Sequence, residues 1–334
     1  MHDIYPWLQP LWAKWQALSE TDRVSGAMLC TAPQGSGVNQ LVELFVHTLI
    51  CSHSNREPCG FCHSCELAQS GNHPDIHWVT AEKEGKPITV DQIRRCNQWA
   101  LESSQLGGKR VIIVHPAETM NESASNALLK TLESPAEDCV FILISNNNRK
   151  LLPTIISRCQ KWSLTEPALE STYQWLLTQT DKACNPVGIR LCNGAPLKAL
   201  EFFEQGQYSQ FQKIEIALCT FLTTNSIDYR AVWLAIQANP IESLKWIAVL
   251  MSDIQKVHFG LSGKELSSQA PSLQVQPVFC EQSETLSKLI PYHVAYQAML
   301  SINTTRDQLE RSSGLNAELL FIRWLVELQE AICS

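Results

Sequence analysis

Residues 28–39, Met28-Leu29-Cys30-Thr31-Ala32-Pro33-Gln34-Gly35-Ser36-Gly37-Val38-Asn39, constrain this chain more than any other stretch. A short apolar run, a glycine-bearing turn and the start of an amphipathic segment follow one another, which is the order strand, loop, helix. The spacing is that of the phosphate-binding motif G-x-x-x-x-G-K-[ST]. Gly37 keeps the second glycine, but Ala32 stands at the first, Val38 at the lysine and Asn39 at the hydroxyl that would hold Mg²⁺. Val38 brings no positive charge to the β- and γ-phosphates, and Asn39 is a poor substitute for the hydroxyl. The frame of a nucleotide site is expected here without its chemistry.

The companion motif is altered too. In P-loop ATPases a hydrophobic strand ends in Asp, often followed by Glu; the Asp holds Mg²⁺ and the Glu orients the attacking water. Here Val111-Ile112-Ile113-Val114 runs into His115 and Pro116, with Glu118 two residues out of register. Mg²⁺ prefers oxygen to imidazole nitrogen, and proline has no side-chain acceptor. With Gly35, Gly37, Val38 and Asn39 in one degenerate motif and His115 and Pro116 in the other, no bound nucleotide is expected. On these residues alone, an unrelated α/β protein with look-alike loops stays open.

At 334 residues the chain is too long for one ordinary core, so two or three domains are expected. Up to residue 165, short apolar runs alternate with amphipathic stretches, the mark of a parallel sheet with covering helices. Strands are expected at 27–30, 76–80, 111–115, 140–145 and 161–164. Asn121 caps a helix in which Ala124, Leu128, Leu129 and Leu132 share a face, ended by Ser134-Pro135. Thr165-Glu166-Pro167 marks a boundary, after which the strand pattern fades. Residues 166–207 suggest a small helical unit, with Asn193-Gly194-Ala195-Pro196 opening a helix, and 208–334 suggest an all-helical one. There, 241–257 repeats Leu244, Ile247, Ala248, Met251 and Ile254, and 315–328 repeats Leu315, Leu319, Ile322 and Val326, a spacing that favours core over interface. Residues 265–279, rich in Ser, Gln and Pro, read as a loop.

Residues 1–10 lack the basic-then-apolar pattern of a signal peptide, and the longest apolar runs are too short to span a bilayer. A cytoplasmic setting without membrane contact is expected, so the 13 cysteines are thiols or metal ligands rather than disulfides. Four have metal spacing: Cys51, seven residues to Cys59, then Cys62 and Cys65 at two-residue gaps. Together they offer four thiolates to tetrahedral Zn²⁺ and leave no position for a catalytic water, which makes the site structural. Gly60 lets the backbone turn between ligands. His53, His63 or His73 could replace one sulfur, Cys51 first. Net charge is −7, with 14 basic and 16 acidic side chains in 1–165 and 12 and 17 in 166–334. That balance argues for weak or no DNA binding by the chain alone.

Ser157-Arg158-Cys159 follows the apolar Ile155-Ile156 and precedes the last expected strand. An arginine there either pairs with a nearby carboxylate, Glu133 or Glu137, or serves as a finger that stabilises a transferring phosphoryl group in a neighbouring subunit.

These segments together resemble the delta-prime subunits of the bacterial DNA polymerase III clamp loader, catalytically inactive AAA+ proteins. The resemblance is carried by the Cys51/Cys59/Cys62/Cys65 module, Gly71-Asn72-His73-Pro74-Asp75, Asn126-Ala127-Leu128-Leu129-Lys130-Thr131-Leu132-Glu133, Leu152-Pro153-Thr154-Ile155-Ile156-Ser157-Arg158-Cys159 and the turn at 193–200. The gap between Cys51 and Cys59 is one residue shorter than the family's usual eight, and Leu197 stands where active relatives have a lid arginine. The resemblance implies an AAA+ domain at 1–165 with a zinc module at 51–65, a helical lid at 166–207 and a helical collar at 208–334 that packs into a ring. It implies a rigid, non-hydrolysing stator. Its partners would be ATP-hydrolysing subunits, a delta-type clamp-opening subunit and, through the complex, the sliding clamp and primed DNA. Arg158 would act in trans, as part of a DNA polymerase holoenzyme active in replication. Two rivals remain: an active ATPase with an atypical loop, using Lys109 or Lys130, and a metal-dependent hydrolase built on the cysteines with His73 and Asp75.

Overall fold

Strand β4 (Cys139–Ser145) is buried at every residue because it has strands on both edges and apolar side chains on both faces. The computed structural model describes residues 4–21, 23–24, 26–54, 56–83, 85–136, 138–224, 227–261, 278–312 and 314–333. Glu137 and the expected loop up to residue 277 lie outside the described residues. Two units are distinguished, Met1–Glu166 and Pro167–Ser334.

In the first unit β4 lies between β1 (Gly26–Thr31) and β3 (Arg110–Val114); β2 (Ile76–Val79) and β5 (Gln160–Ser163) form the edges. The order β2-β3-β4-β1-β5 is parallel throughout. This is the parallel α/β sheet that the alternation of apolar runs and amphipathic stretches led us to expect. Alternation divides each strand between two cores. Met28, Cys30, Val111, Ile113, Val140, Ile142 and Ile144 pack with α1 (Gln9–Glu20) and α2 (Val38–Ile50). Leu29, Ile112, Val114, Phe141 and Leu143 pack with α4 (Val90–Trp99), α5 (Glu122–Glu133) and α6 (Pro153–Ile156). Burial on both faces explains why these strands are continuous apolar runs rather than alternating ones. The short α3 (His63–Gln69) carries part of the cysteine module.

Besides its outer strands, a parallel sheet has two unlike edges, one where the C-terminal ends of the strands lie and one where the N-terminal ends lie. The loop at 32–37 leaves the C-terminal end of β1, and His115 leaves the same end of β3. The segment 157–159 leads into the N-terminal end of β5 and so belongs to the opposite edge.

The second unit is helical: α7 (Leu169–Gln179), α8 (Pro186–Leu191), α9 (Pro196–Glu204), α10 (Gln207–Thr223), α11 (Tyr229–Ile236), α12 (Pro240–His258), α13 (Ser283–Ser287), α14 (Tyr292–Arg311) and α15 (Ala317–Cys333). Asn193 and Gly194, both left-handed at φ 55 and 72, make the turn before Pro196 at the start of α9. One core runs through the unit: Phe202 of α9 and Phe211 of α10 both meet Trp246 of α12, with centroids 5.5 and 6.3 Å away. Arg190 of α8 forms an ion pair with the buried Asp253 of α12. The helix expected at 315–328 exists from Ala317, but its inward stripe differs. Leu315 and Leu319 are 44% and 66% exposed, and Phe321, Trp324, Leu325 and Leu328 are buried instead. The aromatics fill the groove, so the apolar face is rotated away from the register that the leucines suggested. Among the described residues no helix is long and apolar enough to cross a membrane.

Candidate functional site

The degenerate loop starts where Ala32 N–H donates to Ser145 O at 3.0 Å, continuing the β1–β4 ladder by one residue. Gly35 and Gly37 adopt φ 82 and 78, and Gly37 is the N-cap of α2. Both need glycine's freedom, so the turn of a phosphate loop survives although its chemistry does not. Val38, the first residue of α2, is 6% exposed and packs in the core. One contact was not legible in the sequence: Trp7 Nε1–H donates to Ser36 O at 2.7 Å, and the Trp7 ring stacks on Tyr5 at 5.1 Å. An indole from the start of the chain therefore holds a carbonyl of the loop.

At the end of β3, His115 N–H donates to Val79 O at 3.0 Å and a cis peptide joins His115 to Pro116. Burial pushes the His115 pKa down, against a smaller opposing pull from Glu118, which favours the neutral imidazole. The Glu118 carboxylate accepts the Asn146 N–H at 3.1 Å. Neither feature reproduces an Asp that holds Mg²⁺.

Arg158 lies at the other edge. Gln160 pairs with Met28, and the four steps from there to Ala32 span about 13 Å at ~3.3 Å per residue. The guanidinium is tied down on that side. Nε donates to Glu133 Oε1 at 2.9 Å, Nη1 donates to Thr154 O at 2.9 Å, and Nη2 also meets Glu133 Oε1. The pairing with Glu133 that the sequence allowed is present, with the arginine side chain still 33% exposed. Ile155 and Cys159 anchor the segment in the core. The two lysines considered for an atypical loop are poorly placed for it. Lys109 enters the N-terminal end of β3, and Lys130 is in the last turn of α5, which returns the chain toward that same edge.

The four cysteines come together. The Sγ atoms of Cys51, Cys59, Cys62 and Cys65 all lie within 4.8 Å of one another. Sulfurs about 2.3 Å from a tetrahedral Zn²⁺ are ~3.8 Å apart, and Cys59 Sγ to Cys65 Sγ measures 3.9 Å. Cys51 is inside the cluster despite its shortened spacing. Two backbone amides point at sulfur: Cys65 N–H to Cys62 Sγ and Cys59 N–H to Cys51 Sγ, each 3.4 Å. Burial works against the Cys62 thiolate, but hydrogen bonds from Ser52 and Cys65 outweigh it and bring the pKa to about 5. Burial pushes the Cys65 thiol up to about 12, helped by the neighbouring Cys62 and Cys51 sulfurs. Gly60 has φ 77 between the first two ligands of the knuckle. The donor set fits a tetrathiolate metal, whose role would be to cross-link the module.

The alternative ligands lie elsewhere. His53 faces Phe61 at 5.4 Å, and the buried His73 accepts the Asp75 N–H through Nδ1 at 3.1 Å. Asp75 is saturated. Arg110 Nε and Nη2 reach Oδ1 at 3.2 and 2.9 Å, and Ser104 Oγ and the Gln105 and Leu106 amides fill the rest. Its pKa, which burial alone would raise, is held low by these bonds. A carboxylate so engaged has nothing left for a hydrolytic metal, so the hydrolase reading loses its acid.

A family model described as DNA polymerase III, delta subunit, matches residues 7–168, and one described as DNA polymerase III, delta subunit, C terminal, matches 205–330. The DNA polymerase III subunit delta' of Haemophilus influenzae is 30% identical over 331 residues, 98% of either chain. The chain belongs to the delta-prime subunit family of DNA polymerase III. The delta' subunit of Escherichia coli is also 30% identical, over 97% of this chain and 95% of its own length. That of Pseudomonas aeruginosa is 37% identical over 63% and 64%. A delta-prime chain thus combines an altered phosphate loop at one edge of its sheet, a partly exposed arginine at the other and a four-sulfur cluster.

Proposed function

We propose that this delta-prime chain is the non-hydrolysing stator of the clamp loader: a rigid member against which ATP-driven neighbours move to place the sliding clamp on primed DNA. Arg158 reaches the ATP site of an adjacent ATP-hydrolysing subunit. Residues 166–207 serve as lid and 208–334 as collar, the assembly is cytoplasmic, and it includes a delta-type clamp-opening subunit. Zn²⁺ held by Cys51, Cys59, Cys62 and Cys65 is structural.

The observation that carries this reading is the separation of the two edges. A guanidinium whose own phosphate loop is more than a strand's half-length away, and lacks lysine and Mg²⁺ ligands, cannot serve a nucleotide at its own chain's loop. Offered to another subunit, it meets charge that develops on a phosphoryl group. Arginine fingers contribute about 10³–10⁵ in rate in GTPases, roughly 4–7 kcal/mol of barrier. The active-ATPase alternative requires a lysine at the C-terminal edge, and both candidates are directed to the other one.

Two measurements test the proposal. Equilibrium titration of the purified chain with Mg·ATP is expected to show no submillimolar binding and no hydrolysis; either would retire it. In the assembled complex, Arg158→Ala is expected to leave subunit stoichiometry unchanged and to lower DNA-stimulated hydrolysis at least severalfold. Unchanged hydrolysis would remove the trans role.

A further inference from the structure

Arg158 is held by the residue that closes α5, and the way it is held divides the guanidinium in two. Nε and Nη2 form the side-on edge of the group, and both meet a single carboxylate oxygen, Glu133 Oε1. Nη1 is fixed by Thr154 O, a carbonyl of the one-turn α6. Of the five guanidinium N–H groups this leaves one on each Nη nitrogen without a partner among the described residues. One N–H on each Nη nitrogen suits a pair of phosphoryl oxygens.

The placement of Glu133 is otherwise hard to account for. It is the last residue of α5, where the helix dipole disfavours a carboxylate. Its side chain is 51% exposed, so the pair is of the surface kind that adds little to stability. An unpartnered arginine of this length would sample many rotamers, and each would have to be given up on meeting a phosphate.

We propose that Glu133 is a positioning residue for the trans arginine: it holds Nε and Nη2, fixes the rotamer and leaves one N–H on each Nη nitrogen to be presented to the neighbouring subunit's nucleotide. This inference rests on the finger reading above. Glu133 touches no nucleotide itself, so its effect passes entirely through Arg158. It acts before the phosphoryl group arrives, by fixing where the two free N–H groups point.

The test uses the full chain assembled with its ATP-hydrolysing subunits, with steady-state hydrolysis measured on primed DNA and clamp for Glu133→Ala, Glu133→Gln, Arg158→Ala and the Glu133→Ala/Arg158→Ala double variant. Glu133→Ala is expected to lower kcat about three- to tenfold, with the KM for ATP within twofold of the parent and the thermal midpoint of the free chain unchanged. Glu133→Gln keeps an oxygen acceptor for Nε and Nη2 and is expected to recover most of the rate. The double variant is expected to match Arg158→Ala, because a positioning residue has nothing left to position. Parent-level kcat in Glu133→Ala beside a slowed Arg158→Ala would overturn the positioning role and leave the finger intact. A Glu133→Ala loss of equal size in the Arg158→Ala background would overturn it as well, since the effect would then bypass the arginine. Unchanged hydrolysis in Arg158→Ala itself would remove the finger and the positioning role together.

Discussion

Cys62 combines two roles that show how single residues set the character of this molecule. Its Sγ is the N-cap acceptor of α3 and one corner of the sulfur cluster. A hydroxyl in its place keeps the cap but is a poor ligand for a metal that selects thiolate. Cys62→Ser is therefore expected to reduce bound zinc from one equivalent to well below half and to lower the thermal midpoint. The loss should be smaller than the roughly 10–16 kcal/mol of free finger peptides, because α2 and the sheet order part of the module. Elemental analysis of the purified chain and a thermal melt check this; a full equivalent of zinc on the variant would exclude Cys62 as a ligand. The same scale explains what spacing revealed and what it missed. A four-cysteine pattern is legible because ligands close in sequence must be close in space. The bond from Trp7 to Ser36 O joins a side chain to a carbonyl 29 positions away, and a carbonyl acceptor leaves no trace in residue identity. Glu133 was visible only as one of two nearby carboxylates, with nothing to show which edge of the guanidinium it takes.

Among the helices, α8 and α9 pack closely because Gly188 has no side chain. A Cβ there would come within 2.3 Å of Phe203 Cζ and 2.7 Å of Cε1. In an open helix, Gly→Ala is favourable by roughly 0.5–1 kcal/mol, whereas overpacking a tight core costs about 1–3 kcal/mol. Phe203 is 4% exposed and packed against Phe202, so it has little room to retreat and the second effect wins. Gly188→Ala is expected to destabilise the second unit by about 1–2 kcal/mol in chemical denaturation; a stabilised variant would show that Phe203 moves aside. The strands of the first unit were legible to within a residue, the central ones because strands buried on both faces must be apolar throughout, and Asn121 announces its helix by capping it (Ala124 N–H to Asn121 Oδ1, 2.8 Å). The order of the central strands was not legible, since β1, β3 and β4 are alike in their apolar composition. Leu315, just before α15, and Leu319 within it imitated a core stripe that Phe321, Trp324, Leu325 and Leu328 supply instead.

For the molecule as a whole, the departures from a nucleotide-binding motif belong to one entire edge of the sheet, at Val38, Asn39, His115 and Pro116, rather than to a loop. Restoring the two most obvious losses with Val38→Lys and Asn39→Thr returns a charge and a hydroxyl to the start of α2. Val38 is packed in the core beside Leu41 and Val42, so the lysine stem must first find a way out to solvent. The end of β3 would still offer a neutral imidazole and a proline where Mg²⁺ and the attacking water require carboxylates. Trp7 would still hold the Ser36 carbonyl. The isolated double variant is therefore expected to give no Mg-dependent ATP turnover above the parent, measured as phosphate release with a Mg²⁺-free control. Turnover that follows Mg²⁺ would mean that Glu118, fixed by the Asn146 amide at 3.1 Å, swings in to act as the missing acid. In that case the division between the two edges would rest on the phosphate loop alone. If turnover stays absent, the division is built into both strands that end there, as the stator proposal requires.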